Sequence, residues 1–418
     1  MSHRKRLRRP LDMTTTPELR ARHPRPRHPR PHVVVLGAGY AGLLSALRIA
    51  PHARVTLVDP SDRFTERVRL HELAAGRPEV THPLSVFTVR RGIEHLAARA
   101  TGIDLHARAV TTDDGRSLTY DRLVYALGSR TAIPAVQDTV RDGDASGSGS
   151  GSGNGNGHGD GNGDPRAYTA ESAAGLHKRL LDGPGRIAVV GGGLTGIEMA
   201  AELAESHPAW EVELLSSGLA ESLSRKGRDH VRAALDTLGV TVSLTEGRRV
   251  SDPAEVDADA VVWAASMIPN TELAAAAGLA LDPVSRRIEV DATQRSTSHP
   301  DVYAAGDASA RRARDGSLLR MACATALPTG GQAAASVIAS LKGTAPRPPR
   351  FGYLIQCVSL GRHDGVIQKV RADDSPRELI LTGRPAAVTK EQVVRNTVRL
   401  LHTVSRHPVA ARRVPYLG

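Results

Sequence analysis

The stretch VVVLGAGYAGLLSALRIAPHARVTLVD, residues 33–59, decides the fold. An apolar β-branched run ends in Gly37-Ala38-Gly39-Tyr40-Ala41-Gly42, a helical run follows, and a second β-rich run closes on Asp59. Gly37 permits a tight turn, Gly39 lets the backbone approach a pyrophosphate, and Gly42 lets the helix pack close to the strand. Tyr40 and Ala41 lie inside the same turn and go with it. The helix N-terminus offers free amides and its positive dipole end to the phosphates. Asp59 can accept hydrogen bonds from ribose hydroxyls. A glycine turn alone is a weak motif; strand, helix and terminal acid together make a strong one.

The pattern recurs in IAVVGGGLTGIEMAAELAESHPAWEVELLSS, residues 187–217. Here the turn is Gly191-Gly192-Gly193-Leu194-Thr195-Gly196, with Glu198 just inside the helix. Each copy is a βαβ unit, so a parallel sheet follows and the fold class is α/β. The second strand ends at Ser216, where the first copy has Asp59. A carboxylate there would bind a 2′-hydroxyl and repel a 2′-phosphate. Ser216 and Ser217 can donate to phosphate, and Arg225 and Lys226 follow. The reading leans to NADPH, although a hydroxyl also serves NADH.

Two such units suit a chain of 418 residues, which suggests two to three domains. The formal net charge of +11 first suggests nucleic acid or an anionic membrane as partner. Residues 1–31 hold ten of the basic residues against Asp12 and Glu18, leaving the body at +3. The body is therefore nearly balanced, and no nucleic-acid partner is expected of it. With 2 Trp, 7 Tyr and 3 Phe, an aromatic stacking platform and a membrane aromatic girdle are both disfavoured. Two cysteines, Cys323 and Cys357, exclude a disulfide scaffold and a cysteine zinc cluster. The histidines show no ligand spacing, so no metal site is expected. Two low-complexity segments stand apart. The basic tail 1–31 and the Gly-rich stretch 142–164 both read as disordered.

Two further stretches complete the pattern. Residues 297–309, TSHPDVYAAGDAS, place Gly306-Asp307 after a strand, and residues 119–130, TYDRLVYALGSR, place Leu127-Gly128 after another. With them the chain resembles the two-dinucleotide-fold FAD/NAD(P)H oxidoreductases, the pyridine-nucleotide-disulfide-oxidoreductase-like superfamily. Within it the likeness is greatest to type II NADH dehydrogenases and their relatives. The resemblance covers about 32–340. It implies two Rossmann-like modules, for FAD and for NADH or NADPH, with a small C-terminal α+β segment. The implied domains are 32–141 and 271–340 for FAD and 165–270 for NAD(P)H, with 341–418 as the C-terminal segment.

The resemblance also assigns residues. Gly37, Gly39, Gly42 and Asp59 would hold the ADP half of FAD. Gly306 and Asp307 would hold its ribityl–phosphate region. Ala126, Leu127 and Gly128 stand at an ATG-like motif, Ala100 at the adenine, and Trp263-Ala264-Ala265-Ser266 at a second ATG-like motif with Ser in the usual Gly position. Gly191, Gly193, Leu194, Thr195, Gly196 and Ser216 would hold NAD(P)H, with Glu198 near the nicotinamide. Arg67, Arg69 and His71 fall near the isoalloxazine in relatives. There they could steady the flavin or act as an acid, or form ordinary ion pairs. Glu198 and His71 are the catalytic candidates, and Pro328 joins the cofactor-binding set.

Three departures bear on the electron acceptor. No cysteine pair follows Asp59, which disfavours disulfide reduction. An AQxAxQ-like stretch at the quinone site is replaced by Ala324-Thr325-Ala326-Leu327-Pro328-Thr329, with Thr at both Gln positions. The membrane-anchoring helices are represented only by a stripe of Val394, Val398, Leu401 and Val404/Ser405. That stripe follows a capping-box-like Thr389/Gln392 pair. It is read most simply as packing on the body or on a second subunit, with a membrane surface as the sharper alternative. The expectation is a cytoplasmic or peripheral flavoprotein passing electrons to a quinone or other small acceptor, with a homodimer left open. The contrasting reading is an FAD-bound redox sensor, or a nucleic-acid binder using the tail.

Overall fold

The computed structural model describes residues 30–77, 80–133, 164–245, 250–348 and 351–407. The readings of the basic tail and of the Gly-rich stretch therefore fall outside the described residues, apart from Arg30, Pro31 and Asp164.

The first module contains β1 (His32–Leu36), α1 (Tyr40–Ile49), β2 (Arg54–Val58), α2 (Leu70–Ala74), β3 (Glu94–Leu96) and β4 (Arg122–Tyr125). The second contains β5 (Ala167–Thr169), α3 (Ala173–Leu181), β6 (Arg186–Val190), α4 (Leu194–Ser206), β7 (Glu211–Ser216), α5 (Arg225–Thr237), β8 (Thr241–Leu244) and β9 (Ala260–Trp263). The chain then returns to the first sheet with β10 (Val302–Ala304) and α6 (Cys323–Leu341). It closes with β11 (Ile355–Leu360), β12 (Asp364–Val370), β13 (Pro376–Thr382) and α7 (Gly383–Arg406).

Both large sheets are parallel, as the two βαβ units require. Their orders are β10-β4-β1-β2-β3 and β5-β9-β6-β7-β8. The two orders correspond from β4 and β9 through to β3 and β8, with β1 and β6 at the centre, and differ in the edge strand, β10 coming last in sequence in its sheet and β5 first. All five residues of β1 are buried, as expected of a strand covered on both faces. Each glycine turn therefore opens at the carboxyl end of a central strand, where open α/β sheets bind ligands. The modules are joined by an antiparallel pair, Ser129–Thr131 with Met267–Pro269.

The segment after α6 is a three-stranded antiparallel sheet, β11-β12-β13, packed by α7. The capping-box reading at Thr389 is corrected here. Helix α7 begins at Gly383, and the Thr389 hydroxyl donates to Pro385 O at 2.7 Å inside it. Pro385 sits in the first turn, where its missing N–H breaks no helical bond. Val394, Val398, Leu401 and Val404 are buried, the last three in the core of the first module. Exposing four such side chains would cost roughly 6 kcal/mol or more. The stripe thus packs on the body and is not available to a membrane.

Candidate functional site

The first glycine turn is held by two close approaches. A Cβ on Gly37 or Gly42 would overlap backbone: the Ala126 carbonyl for Gly37, the Gly37 carbonyl for Gly42. A Cβ on Gly39 would meet nothing within 4 Å. Two glycines therefore shape the turn, and the third keeps space open at the N-terminus of α1. Asp59 Oδ2 accepts from Ala38 N at 2.7 Å and Oδ1 from Ser61 N at 2.9 Å, which fixes the carboxylate beside the turn. Tyr40 opens α1 and stacks edge-on against Phe64 at 5.0 Å. Ala100 begins the first strand of a small antiparallel sheet that continues from the end of β3.

The second turn repeats this geometry. Gly196 would collide with the Gly191 carbonyl, Gly191 lies against Ala265, and Gly193 is open. Leu194 and Thr195 begin α4 without a side-chain cap, so the amides of its first turn face the open side. Ser266, in the usual Gly position, keeps the glycine conformation at φ 62°. Left-handed backbone costs a non-glycine residue about 1–2 kcal/mol, and glycine gives back part of that as unfolded-state entropy. Ser266→Gly should therefore stabilise the protein by roughly 0.5–1 kcal/mol in a urea titration. A loss of stability would show that the Ser266 side chain holds the turn.

The Gly306–Asp307 turn lies at the end of β10, with Gly306 at φ 68°. Ser129 Oγ donates to Asp307 Oδ2 at 2.7 Å, tying this turn to Gly128. Thr329 Oγ1 accepts from Gly306 N at 2.9 Å and donates to Thr325 O at 2.7 Å. Pro328 is buried beside it in α6, and Gly330 lets α6 close on the backbone of Ala41. Asp307 Oδ1 and Arg287 Nε are buried without a hydrogen-bond partner among the described residues. An unsatisfied carboxylate oxygen suits a hydroxyl donor and an unsatisfied guanidinium nitrogen an anionic acceptor, so together they fit a chain that bears both hydroxyls and phosphate. Three turns, not two, meet here: Gly306 lies against Ala41 of the first glycine turn, and Asp307 is tied to Ser129 beside Gly128.

Where α2, α4, the β11–β12 hairpin and α7 meet, charges are buried together. Lys390 Nζ contacts Glu198 Oε1 and donates to Ser359 Oγ at 3.0 Å, while Ser359 N donates to Glu198 at 3.1 Å. Burial pulls the Lys390 ammonium down from its ordinary value to about 7. Arg69 bridges Glu66, Glu72 and Glu391 at 2.9–3.1 Å, and Arg362 bridges Glu202 and Glu72. Arg67 pairs with Glu171 at 2.8 Å. Burial, then the charges of Lys390, Arg362 and Arg69, hold His71 well below its ordinary value. A neutral imidazole is no proton donor of the imidazolium kind at neutral pH, which leaves Lys390, held against Glu198, as the group that titrates there.

Residues 31–327 match the family model described as pyridine nucleotide-disulphide oxidoreductase. The chain belongs to that family. An NADH dehydrogenase-like protein of Mycobacterium tuberculosis is 28% identical over 396 residues, covering 88% of this chain and 94% of the relative. The alternative NAD(P)H-ubiquinone oxidoreductase C1 of Arabidopsis thaliana is 25% identical, covering 82% and 73%. The solved structure of NDH2 from Plasmodium falciparum has a TM-score of 0.68 at 15% identity, covering 93% of this chain and all of that one, which shows the shared fold.

This pyridine nucleotide-disulphide oxidoreductase is an FAD-dependent NAD(P)H enzyme of the NADH dehydrogenase-like kind. It has no helix among the described residues that is long and apolar enough to cross a membrane, and no group of three metal-ligating side chains. Cys323 and Cys357 are free, and burial raises both thiols, Cys357 to about 11. Thiols so held are poor nucleophiles. The threonines in the two Gln positions are engaged by backbone: Thr325 donates to Arg320 O at 2.7 Å, Thr329 to Thr325 O. Sequence reasoning missed Ser129, Arg287 and Lys390. Lys390 was readable in one respect: with Ala386, Val394 and Val398 it continues the buried stripe at i, i+4 spacing.

Proposed function

We propose that the chain passes hydride equivalents from NAD(P)H to FAD and on to a small, two-electron, proton-consuming acceptor of the quinone type. The Glu198–Lys390 pair carries this reading. A one-electron protein carrier needs no proton, whereas a quinone takes up two with its electrons. A buried ammonium that gives up its proton near pH 7, in contact with a carboxylate, suits that task. The ubiquinone oxidoreductase among the relatives supports it.

The residues divide the work. Gly37, Gly39 and Gly42, with Asp59, would hold the ADP half of FAD. Gly306, Asp307, Arg287 and Gly128 would hold its phosphate and ribityl portion. Gly191, Gly193 and Gly196 would hold the nicotinamide nucleotide. When bound, FAD supplies the redox chemistry between nicotinamide and acceptor. The protein aligns the partners, excludes water, and keeps a proton on Lys390 Nζ.

Anaerobic stopped-flow measurement tests this. NADH or NADPH should bleach the flavin absorbance at a rate that changes little with pH. Acceptor reduction should slow as pH rises through about 7, because the proton on Lys390 is lost there. Absence of bleaching sinks the oxidoreductase reading. Acceptor reduction that ignores pH, or that proceeds only with a one-electron protein carrier, sinks the assignment of the acceptor.

A further inference from the structure

We propose that Glu221 selects NADH over NADPH, its carboxylate taking over in the second module the ribose-reading place that Asp59 holds in the first. The proposal rests on the pyridine-nucleotide reading of that module.

The two modules make the same contact at the same place with different atoms. In the first, the amide of Ala38 donates to the Asp59 carboxylate; in the second, the amide of Gly192 donates to Ser216 Oγ at 2.8 Å. The single proton of Ser216 goes to Gly218 O at 2.7 Å. The hydroxyl that the sequence offered to a 2′-phosphate thus has no proton left to give.

Beyond Ser216 the chain folds back over the glycine turn. Ala220 N donates to Gly192 O at 2.8 Å, and Ala220 is buried at φ 50°. That left-handed residue redirects the chain. Glu221 follows, and its carboxylate carbon lies 2.7 Å from where a Cβ on Gly218 would stand. The carboxylate therefore lies over Gly218, two residues past the end of β7, in the space a side chain there would occupy. The Glu221 side chain is exposed, and no hydrogen bond or ion pair engages it among the described residues.

The basic pair expected to read a phosphate begins α5, with its backbone held by Glu378. The amides of Arg225 and Lys226 both donate to the Glu378 carboxylate at 3.3 Å, and the Arg225 side chain faces Asp229 at 3.9 Å. A 2′-hydroxyl can donate to Glu221. A 2′-phosphate would meet a like charge and a hydroxyl whose proton is committed.

The test is calorimetric titration of the full-length protein with ADP-ribose and with its 2′-phosphorylated form. The wild type should bind ADP-ribose at least about ten-fold more tightly, the size of one charge-assisted hydrogen bond. Glu221→Gln and Glu221→Ala should narrow the gap to within about three-fold, with thermal melting unchanged because the side chain is exposed. Equal binding by the wild type, or an unchanged ratio in both variants, overturns the proposal. No binding of either ligand by the wild type overturns the nucleotide reading of the module as well, and is a distinguishable result.

Discussion

Lys390→Met is expected to lower stability by about 3–5 kcal/mol, because it leaves the Glu198 carboxylate buried without its counter-charge. Methionine matches the length of the lysine stem and keeps the packing of α7, so the loss reports the charge rather than a cavity. Glu198 is 13% exposed and Lys390 10%, so water can screen little of the pair. The double variant Glu198→Gln/Lys390→Met should recover more than half of the loss, since both charges are then gone. Urea titration of the four proteins gives the coupling energy directly. A single-variant loss below about 1 kcal/mol would place the pair among ordinary surface ion pairs and remove its claim to a functional role. The same variants should flatten the pH dependence of acceptor reduction.

Gly39→Ala and Gly42→Ala are expected to abolish FAD retention for different reasons. At Gly42 the new methyl would overlap the Gly37 carbonyl, so α1 must move away from β1. Overpacking of this kind costs roughly 1–3 kcal/mol or more, and both melting temperature and flavin content should fall. At Gly39 the new methyl meets no protein atom within 4 Å, and φ is −69°, which alanine adopts freely. The apoprotein should therefore melt as the wild type does, yet copurify with little flavin, since the methyl occupies the path of the pyrophosphate. Full FAD content in Gly39→Ala would show that the cofactor does not cross this turn.

What could be read from the sequence follows the range of the interactions involved. The glycine turns, the central strands and the parallel sheets are written in runs of about 30 residues, and local sterics fix them. The start of α7 was misread because Gly383 and Pro385 look like loop residues until the first turn is known to tolerate them. Ser266 departs from the family pattern in identity but not in backbone angle, which no residue type reveals by itself. Ser129 reaches the Asp307 site only across 178 positions, and Arg287 lies beside Asp307 only once the chain has folded. The Glu198–Lys390 pair spans 192 positions and needs α7 in place before it exists. Glu221 lay close in sequence to the vacant acid position, but the fold-back at Ala220 is a tertiary event.

The insertion of the second module between β4 and β10 has a consequence for biosynthesis. The second sheet is continuous in sequence, from Ala167 to Trp263, so it can form as soon as those residues leave the ribosome. The first sheet cannot close until Val302 pairs with Leu123, a contact whose loop entropy is largely relieved once the inserted module has collapsed. The turn at Gly306–Asp307 arrives later still. A nascent chain halted before β10 would carry the second sheet complete and the first still open, so closure of the first sheet reports that most of the chain has been made.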